Sequence, residues 1–377
     1  MVSPIKNTDD SPEIRGRHTM SDTAPVAPRR FSAGELRDFI ARALARLGLP
    51  ETDAADCARL MVDSDLAGFD THGIFRLSQY VKRIRAGGIN VTPTITTVTE
   101  APATAVVDGD NAMGHLVVQY AMRLAIDKAL ETGCAWVGAR GSNHAGAAAT
   151  YVSMAAEKNL IALYGTNGSA NHMAPWGSAD LLLGTNPIAA AIPAAEGSPV
   201  VMDIATTVSS FGKVRTAAQR GEDLPADWMI DRDGKPITDS SRIKEGILNP
   251  IGGHKGYALS LVVGLLAATL SGAQMGVDVE GMGDAEYQKT PVNNGHFMIV
   301  VDPARFGDVL DFGQRVDAVS ETMRNATPMA GVEDVRVPGD GRAAHIEDYT
   351  ANGVPLHGAL IGNLNTLADE LGIASLT

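Results

Sequence analysis

Short apolar runs at residues 134–137, 160–164, 181–183, 188–192, 200–202 and 297–301 constrain this chain more than any other feature. Each has the length and composition of a strand, but the helical segments around them do not alternate with them one for one. A doubly wound sheet requires that alternation. The chain is therefore expected to build a mixed α/β core of another kind.

Helical periodicity brackets that core. Ser32 and Glu35 spell a capping box, and Leu36, Phe39, Ile40, Ala43, Leu44 and Leu47 follow at helical spacing until Gly48. Further helices are predicted over 53–67, 74–85 (closed by Gly87 and Gly88), 116–130 and 145–157, with a strand at 335–337 and a last helix over 356–371. At 377 residues two domains are expected. Residues 31–115 and 315–377 are read as one discontinuous helical domain and 116–314 as the α/β core. Residues 1–30 read as a disordered extension without the apolar centre of a signal peptide, in which Met20 is a second candidate start. The uncharged stretch 257–277 has nominal membrane-spanning length. Ser260, Gly264, Thr269, Ser271, Gly272 and Gln274 dilute it, and a buried helix is expected there rather than a membrane span.

A net charge of −13 argues against a nucleic-acid partner. The two cysteines, Cys57 and Cys134, form no Cys-x-x-Cys pair, so neither a disulfide framework nor a structural metal centre is expected, and a reducing cytoplasm fits.

Two segments carry acid/base chemistry: Asp70-Thr71-His72-Gly73-Ile74-Phe75-Arg76 and Gly141-Ser142-Asn143-His144-Ala145-Gly146. If residues 66–85 are helical, His72, Arg76 and Tyr80 share one face at i, i+4 and i+8. A guanidinium beside an imidazole disfavours the imidazolium, and its planar fork grips a carboxylate through two bonds. That combination suits oxidation or reduction at the carbon next to a carboxylate.

Three turn-rich loops, Gly165-Thr166-Asn167-Gly168-Ser169, Ala174-Pro175-Trp176-Gly177 and Gly184-Thr185-Asn186-Pro187, offer backbone N–H groups and short polar side chains to phosphate and ribose oxygens. Each alone also reads as an ordinary strand connection. Asp203, at the end of an expected strand, is placed to orient a catalytic histidine. In Gly252-Gly253-His254-Lys255-Gly256 a cation stands at an expected helix N-terminus, where an anion is favoured. Gly339-Asp340-Gly341-Arg342-Ala343-Ala344 spells a dinucleotide fingerprint without the helix and strand of a βαβ unit after it, so it reads as a loop able to approach a cofactor.

As a set, Thr71-His72-Gly73 with Arg76 and Tyr80, Ser142-Asn143-His144-x-Gly146, the Ala174–Gly177 and Gly184–Pro187 loops, Met202-Asp203-Ile204-Ala205-Thr206, Asp227-Trp228 and Gly253-His254-Lys255-Gly256-Tyr257 resemble the type-2 malate/L-lactate dehydrogenase family. The likeness runs in order over nearly all of the chain from Phe31. It implies an oxidoreductase of small 2-hydroxy or 2-oxo acids using NAD or NADP, with a non-Rossmann fold of its own, nucleotide on 116–314, a small carboxylate substrate between the domains, and a homodimer. His72 then resembles the proton donor/acceptor of some members, His144 the proton acceptor of others, and Arg76 the carboxylate anchor. Nucleotide contacts fall by resemblance on Ser169, Asp203, Ile204, Ala205, Thr206, Thr207, His254, Lys255, Gly339, Asp340 and Gly341. Thr71, Asn143 and Thr185, within the same motifs, are expected to join Arg76 around the substrate.

The family also includes reductases of cyclic imino acids, which is the alternative chemistry. The chain departs from the pattern at Thr71, where many members have Ser, and at Pro338-Gly339-Asp340-Gly341-Arg342, where Pro-Gly is commonly followed by Glu or His-Glu. Two rival readings are a serine hydrolase using Ser210-Phe211-Gly212-Lys213, whose partner motifs are missing, and a metabolite-binding protein without catalysis.

Overall fold

The capping box forms as spelled. Ser32 Oγ accepts from the Glu35 N–H at 3.2 Å and the Glu35 carboxylate accepts from the Ser32 N–H at 2.8 Å, which starts α1 (Ala33–Arg46). Leu36, Phe39, Ile40, Ala43 and Leu44 are buried along its inner face, and Gly48, at φ +100°, turns the chain into α2 (Glu51–Leu66). Ahead of α1, strand β1 (Arg29–Phe31) pairs antiparallel with Val354–Leu356 from the far end of the sequence.

The computed structural model describes residues 28–279 and 288–377. Positions 1–27 of the expected extension, Met20 among them, lie outside the described residues, whereas Arg29 and Arg30, assigned to that extension, belong to a strand. One apolar cluster unites Phe31, Phe39 and Leu44 with Leu77 and Tyr80 of α3 (Leu77–Arg85) and with Leu364 and Leu367 near the C-terminus.

A seven-stranded sheet forms the rest of the frame. Its strands are β2 (Thr96–Ala101), β3 (Thr104–Asp108), β4 (Cys134–Ser142), β5 (Ile161–Thr166), β6 (Ile188–Ile192), β7 (Val200–Ile204) and, after the two-residue strands β8 (Met229–Ile230) and β9 (Ile247–Leu248), β10 (Asn294–Val301). They lie in the order β2-β3-β4-β10-β5-β6-β7, antiparallel throughout except for β3 beside β4. This is the irregular mixed α/β core that the strand spacing predicts. Strands β2 and β3, expected in the helical domain, belong to the sheet instead.

Alternation along β10 assigns its two faces. Met298 and Val300 enter the cluster under α4 (Gly114–Thr132) and α5 (Ala148–Ala156), while Phe297 and Ile299 meet Val263 and Ala267 of α7 (His254–Gly264) and the π-helical turn Leu265–Thr269 that continues it. The remaining helices are α6 (Phe211–Arg220), α8 (Val309–Arg324), α9 (Asp340–Asn352) and, after strand β11 (Val354–Leu356), α10 (Gly358–Leu371).

Four local expectations give way. Residues 181–183 contribute only a bridge from Leu183 to Met173, and 335–337 form no strand. Helix α9 does follow the Gly339 loop, although no βαβ unit is formed. The helix expected to be buried over 257–277 keeps Val262, Leu265 and Leu270 at 51%, 44% and 61% exposure, because only one of its faces meets the sheet. Among the described residues no helix is long and apolar enough to cross a membrane.

The π turn and β10 approach so closely that a Cβ on Gly295 would sit 2.3 Å from the Ala267 carbonyl oxygen. Gly295→Ala is therefore expected to lower the unfolding free energy by about 1–3 kcal/mol, read from urea denaturation. Wild-type stability in that variant would show that the two backbones can part at no cost.

Candidate active site

The first histidine segment is not one helix. Helix α2 ends at Leu66, and His72 stands on a turn before the short 3-10 segment Ile74–Arg76, so the shared i, i+4, i+8 face does not exist. A buried carboxylate shapes that turn: Asp65 accepts from the Ile74 N–H at 2.8 Å, and a Cβ on residue 73 would lie 2.0 Å from Asp65 Oδ1, which admits only glycine. Burial pushes the Asp65 carboxyl well above the usual carboxylate range. Thr71 Oγ1 then meets His72 Nδ1 at 2.9 Å, and Arg76 donates from Nε to the Thr71 carbonyl at 2.7 Å and from Nη1 to Gln79 Oε1 at 2.8 Å.

The second segment arrives on β4, which runs to Ser142. Asn143 is buried, donates to the Ala112 carbonyl at 2.8 Å and to Asn111 Oδ1 at 2.9 Å, and fastens the loop; it does not line the cavity on which His144 opens. His144 is held through Nδ1 by the Tyr80 hydroxyl at 2.7 Å and the Gly146 N–H at 3.3 Å. A backbone N–H can only donate, so Nδ1 is the acceptor and Nε2 carries the proton. His72 and His144 face each other with ring centroids 5.7 Å apart and planes 24° from parallel.

Both rings are kept neutral. Burial, and then the Arg76 charge, push His72 down to about 3, and the same causes hold His144 well below the ordinary histidine value. The guanidinium contributes as the sequence suggests, but enclosure is the larger effect.

These groups open on a cavity of about 670 Å³, within the usual size of a ligand site. Its wall brings together Thr71, His72, Arg76, His144, Ser169, Thr185, Asp203, Ile204, Ala205 and Thr207. The two glycine loops meet across it: Gly168 and Gly184 are so close that a Cβ on either would fall 2.9 or 2.6 Å from the other's Cα, and Asn186 Oδ1 accepts from the Gly168 N–H at 2.8 Å. This leaves bare backbone beside Ser169, with Ile204 and Val208 39% and 37% exposed in the same wall. Polar backbone next to uncovered apolar surface is a donor set that fits a nucleotide ring and its ribose.

Asp203 does not orient a histidine. Its carboxylate accepts from the Ala149 N–H at 2.8 Å, capping α5, and burial raises it to about 6 against the pull of those backbone bonds and of Arg342. Thr206 is buried and donates to the Thr185 carbonyl at 2.9 Å. His254 and Lys255 open α7 outside the lining, beside Trp176, whose ring centroid is 6.1 Å from that of His254. Gly339 packs on Val201, Asp340 pairs with Arg324 at 2.7 Å, and Gly341 follows in α9; none of the three lines the cavity.

Sequence spacing missed several wall residues. His172 lies flat on Phe211 at 4.1 Å, His296 bonds Tyr164 at 2.8 Å and Ser142 at 2.9 Å, and Asn294 Oδ1 accepts from Ser169 Oγ at 2.8 Å. His172 comes from the loop after β5, Phe211 from α6 and both Asn294 and His296 from β10, and no local motif joins the three. Ser210, the nucleophile of the hydrolase reading, is the N-cap of α6 and accepts from the Lys213 N–H at 3.2 Å.

Residues 31–365 match the family described as malate/L-lactate dehydrogenase. A malate dehydrogenase from Pyrococcus horikoshii is 35% identical over 359 residues, covering 92% of this chain and 97% of that protein. Its solved structure matches with a TM-score of 0.84 at 34% identity, over 93% of this chain and 97% of the other. An L-sulfolactate dehydrogenase from Methanothermobacter thermautotrophicus is 37% identical over 344 residues, 91% of this chain and 98% of that one. The structure of a Δ1-piperideine-2-carboxylate reductase from Pseudomonas syringae matches with a TM-score of 0.81 at 32% identity, over 90% of this chain and 100% of the other. Other relatives are named for their cofactor, NAD(+) in ureidoglycolate dehydrogenases and NADP(+) in a (2R)-3-sulfolactate dehydrogenase.

Buried neutral imidazoles give the fold an acid-labile signature. His115 and His296, 0% and 1% exposed, are pushed by burial from 6.5 down to about 3. Between those values the unfolded chain binds protons that the folded chain refuses, so their contribution is complete above pH 6.5 and shrinks as pH falls, by about 1.4 kcal/mol per pH unit for each ring. The buried carboxyls act oppositely: burial raises Asp65 and Asp70, and the contribution of Asp203 is complete below 3.8 and lost as pH rises through about 6. With His72, His144 and His172 also depressed by burial the rings outnumber them, and urea unfolding is expected to show stability declining from about pH 7 to about pH 4.5 with uptake of more than one proton. A flat profile would rule out the neutral, enclosed rings.

Proposed function

The chain belongs to the malate/L-lactate dehydrogenase family and is an NAD(P)-dependent dehydrogenase acting on hydroxy acids; from that premise we propose that Arg76 holds the carboxylate, and His72 with His144 handles the proton, of a 2-hydroxy acid and its 2-oxo partner. The observation that carries this reading is the meeting of two neutral imidazoles and one guanidinium free of any acidic side chain on a single cavity. Among the described residues Arg76 hydrogen-bonds only to oxygens of Thr71 and Gln79, its guanidinium standing over the Phe75 ring, and its remaining N–H groups are left for a planar anion.

The chemistry that NAD(P) would supply when bound is a hydride acceptor for the hydroxyl-bearing carbon and, in reduced form, a hydride donor for the oxo carbon. Ser169 and the Asp203–Thr207 segment are the residues we assign to hold it, with Lys255 offering positive charge and His254 the first N–H of the α7 N-terminus to phosphate. Because Asp340 is engaged by Arg324 and Gly339 by Val201, the Gly339–Gly341 loop supports the nucleotide wall from behind.

The proton steps follow from the ring environments. Burial is the larger cause that depresses both imidazoles and the Arg76 charge the smaller, and a carboxylate seated on Arg76 offsets the latter, so their proton affinity rises when substrate is present. His144, with its proton on Nε2, donates a hydrogen bond to the substrate oxygen. His72 rests on a hydroxyl that can donate or accept, so either tautomer is open to it, and this favours His72 as the group that exchanges the proton.

The helical unit supplies His72 and Arg76 and the sheet supplies His144 and Asp203, so we place the substrate between them. We also place the enzyme in the cytoplasm as a homodimer; its two free cysteines fit the first, and the exposed apolar residues of α7 give the second a surface. A cyclic 2-imino acid is the second reading, favoured by the likeness to Δ1-piperideine-2-carboxylate reductase and needing the same arginine and histidines.

Nicotinamide absorbance in a panel of 2-oxo acids and cyclic imines, with NADH and NADPH, tests the reaction and separates the two readings. His72→Ala or His144→Ala is expected to lower kcat by about a hundredfold to ten-thousandfold with the fold intact; full turnover removes that ring from the role. Arg76→Lys is expected to raise KM about tenfold or more, since an ammonium cannot reproduce the fork. An unchanged KM places the carboxylate elsewhere.

A further inference from the structure

The cavity carries more positive charge than one carboxylate consumes. The first turn of α6 abuts the His72 turn, where a Cβ on Gly212 would lie 3.7 Å from Thr71 Cβ. One turn further on, the Arg215 guanidinium stands over the Phe211 ring, its carbon 5.6 Å from the centroid, and Phe211 in turn lies on His172 with planes 7° from parallel. This stack sets Arg215 in the cavity wall with its donor edges uncommitted among the described residues.

Two guanidinium groups thus face one cavity. Arg215 lies near enough to Arg76 for its charge to weaken the hold of Arg76 on its proton, and it likewise depresses His172. Among the described residues no acidic side chain lies within 4.0 Å of either guanidinium, and Asp203, the acidic residue of this wall, is occupied by α5. A chain of net charge −13 that keeps two arginines unpaired in its one catalytic wall leaves a repulsion which a ligand with two negative groups relieves and a ligand with one does not.

We propose that Arg215 is a second anion-binding residue and that, together with Arg76, it selects 2-hydroxy or 2-oxo acids bearing a second acidic group at the far end over acids with a single carboxylate. This rests on the reading of the reaction given above and adds the substrate class and the residue that reads it. Specificity then follows from the unpaired guanidinium that a one-charge acid leaves behind.

The test compares Arg215→Met and Arg215→Lys with wild type, using oxaloacetate against pyruvate and supplying NADH and NADPH in turn. Arg215→Met is expected to lower the ratio of kcat/KM for oxaloacetate to that for pyruvate by about tenfold or more, chiefly through the KM for oxaloacetate, and Arg215→Lys to recover part of it. An unchanged ratio, or equal losses on both acids, overturns the proposal. Thermal unfolding in malonate, with propionate as the one-charge control, reads the site without turnover. Malonate is expected to raise the melting temperature of wild type more than that of Arg215→Met, and an equal rise in both overturns the proposal. If wild type reduces neither acid, the reading of the reaction falls, and the malonate comparison alone decides the role of Arg215.

Discussion

A hydrogen bond of 2.7 Å between the Tyr80 hydroxyl and His144 Nδ1 joins the helical cluster to the sheet at the point where the His72 and His144 rings meet. Tyr80 belongs to the apolar cluster of the helical unit, and His144 to the loop that leaves β4. Tyr80 is 1% exposed, and burial raises its hydroxyl above the ordinary tyrosine value, so it stays protonated. Together with the Gly146 N–H it fixes one tautomer of His144 and one orientation of its ring. Stacking against His72 and the reach of Arg76 both follow from that placement.

Glycine and alanine make such close assembly feasible. Gly73 lies against the Asp65 carboxylate, Gly168 against Gly184, and Gly295 against the Ala267 carbonyl, in each case at distances that forbid a Cβ. Alanines in α5 and β6 bring helix and sheet together in the same way. A chain with 5% aromatic residues and 40 glycines builds much of its cavity from backbone and short side chains, with Phe69, Phe75, Tyr164 and Phe211 as the few large aromatic members of the lining. Enclosure then decides the electrostatics: the imidazoles are neutral mainly because they are buried, and Arg76 adds to an effect that burial already produces.

Much of the local structure was legible beforehand because it depends on near neighbours. The capping box at Ser32, the strand Ile188–Ile192, and the final helix are spelled within a few residues of where they form. The turn at His72 was legible only as the gap between the helices expected over 53–67 and 74–85; Gly68, at φ +79°, ends α2, and the shape of the turn rests on Asp65, whose carboxylate becomes relevant only once it is buried against Ile74. Asp203 misled in the same manner: a carboxylate at a strand end suggested a histidine partner, but the nearest donors prove to be the first N–H groups of α5. Asn143, read as a substrate contact, is consumed by Asn111 and Ala112.

What the sequence determined by itself was the list of parts: a mixed α/β core, a helical opening, two histidine motifs, an arginine, and glycine loops, each set by periodicity or by residues adjacent in the chain. Only the tertiary structure decided which parts meet. It put β10, the last strand of the seven-stranded sheet in sequence, at the centre of that sheet between β4 and β5, brought His172, Arg215, Asn294 and His296 to the same wall, and left His254 and Gly339 outside it. Those outcomes depend on contacts between residues separated by a hundred positions or more, such as His296 with Ser142, and on how deeply each group is enclosed. Neither quantity is written in local spacing, because both arise only when distant segments exclude water together.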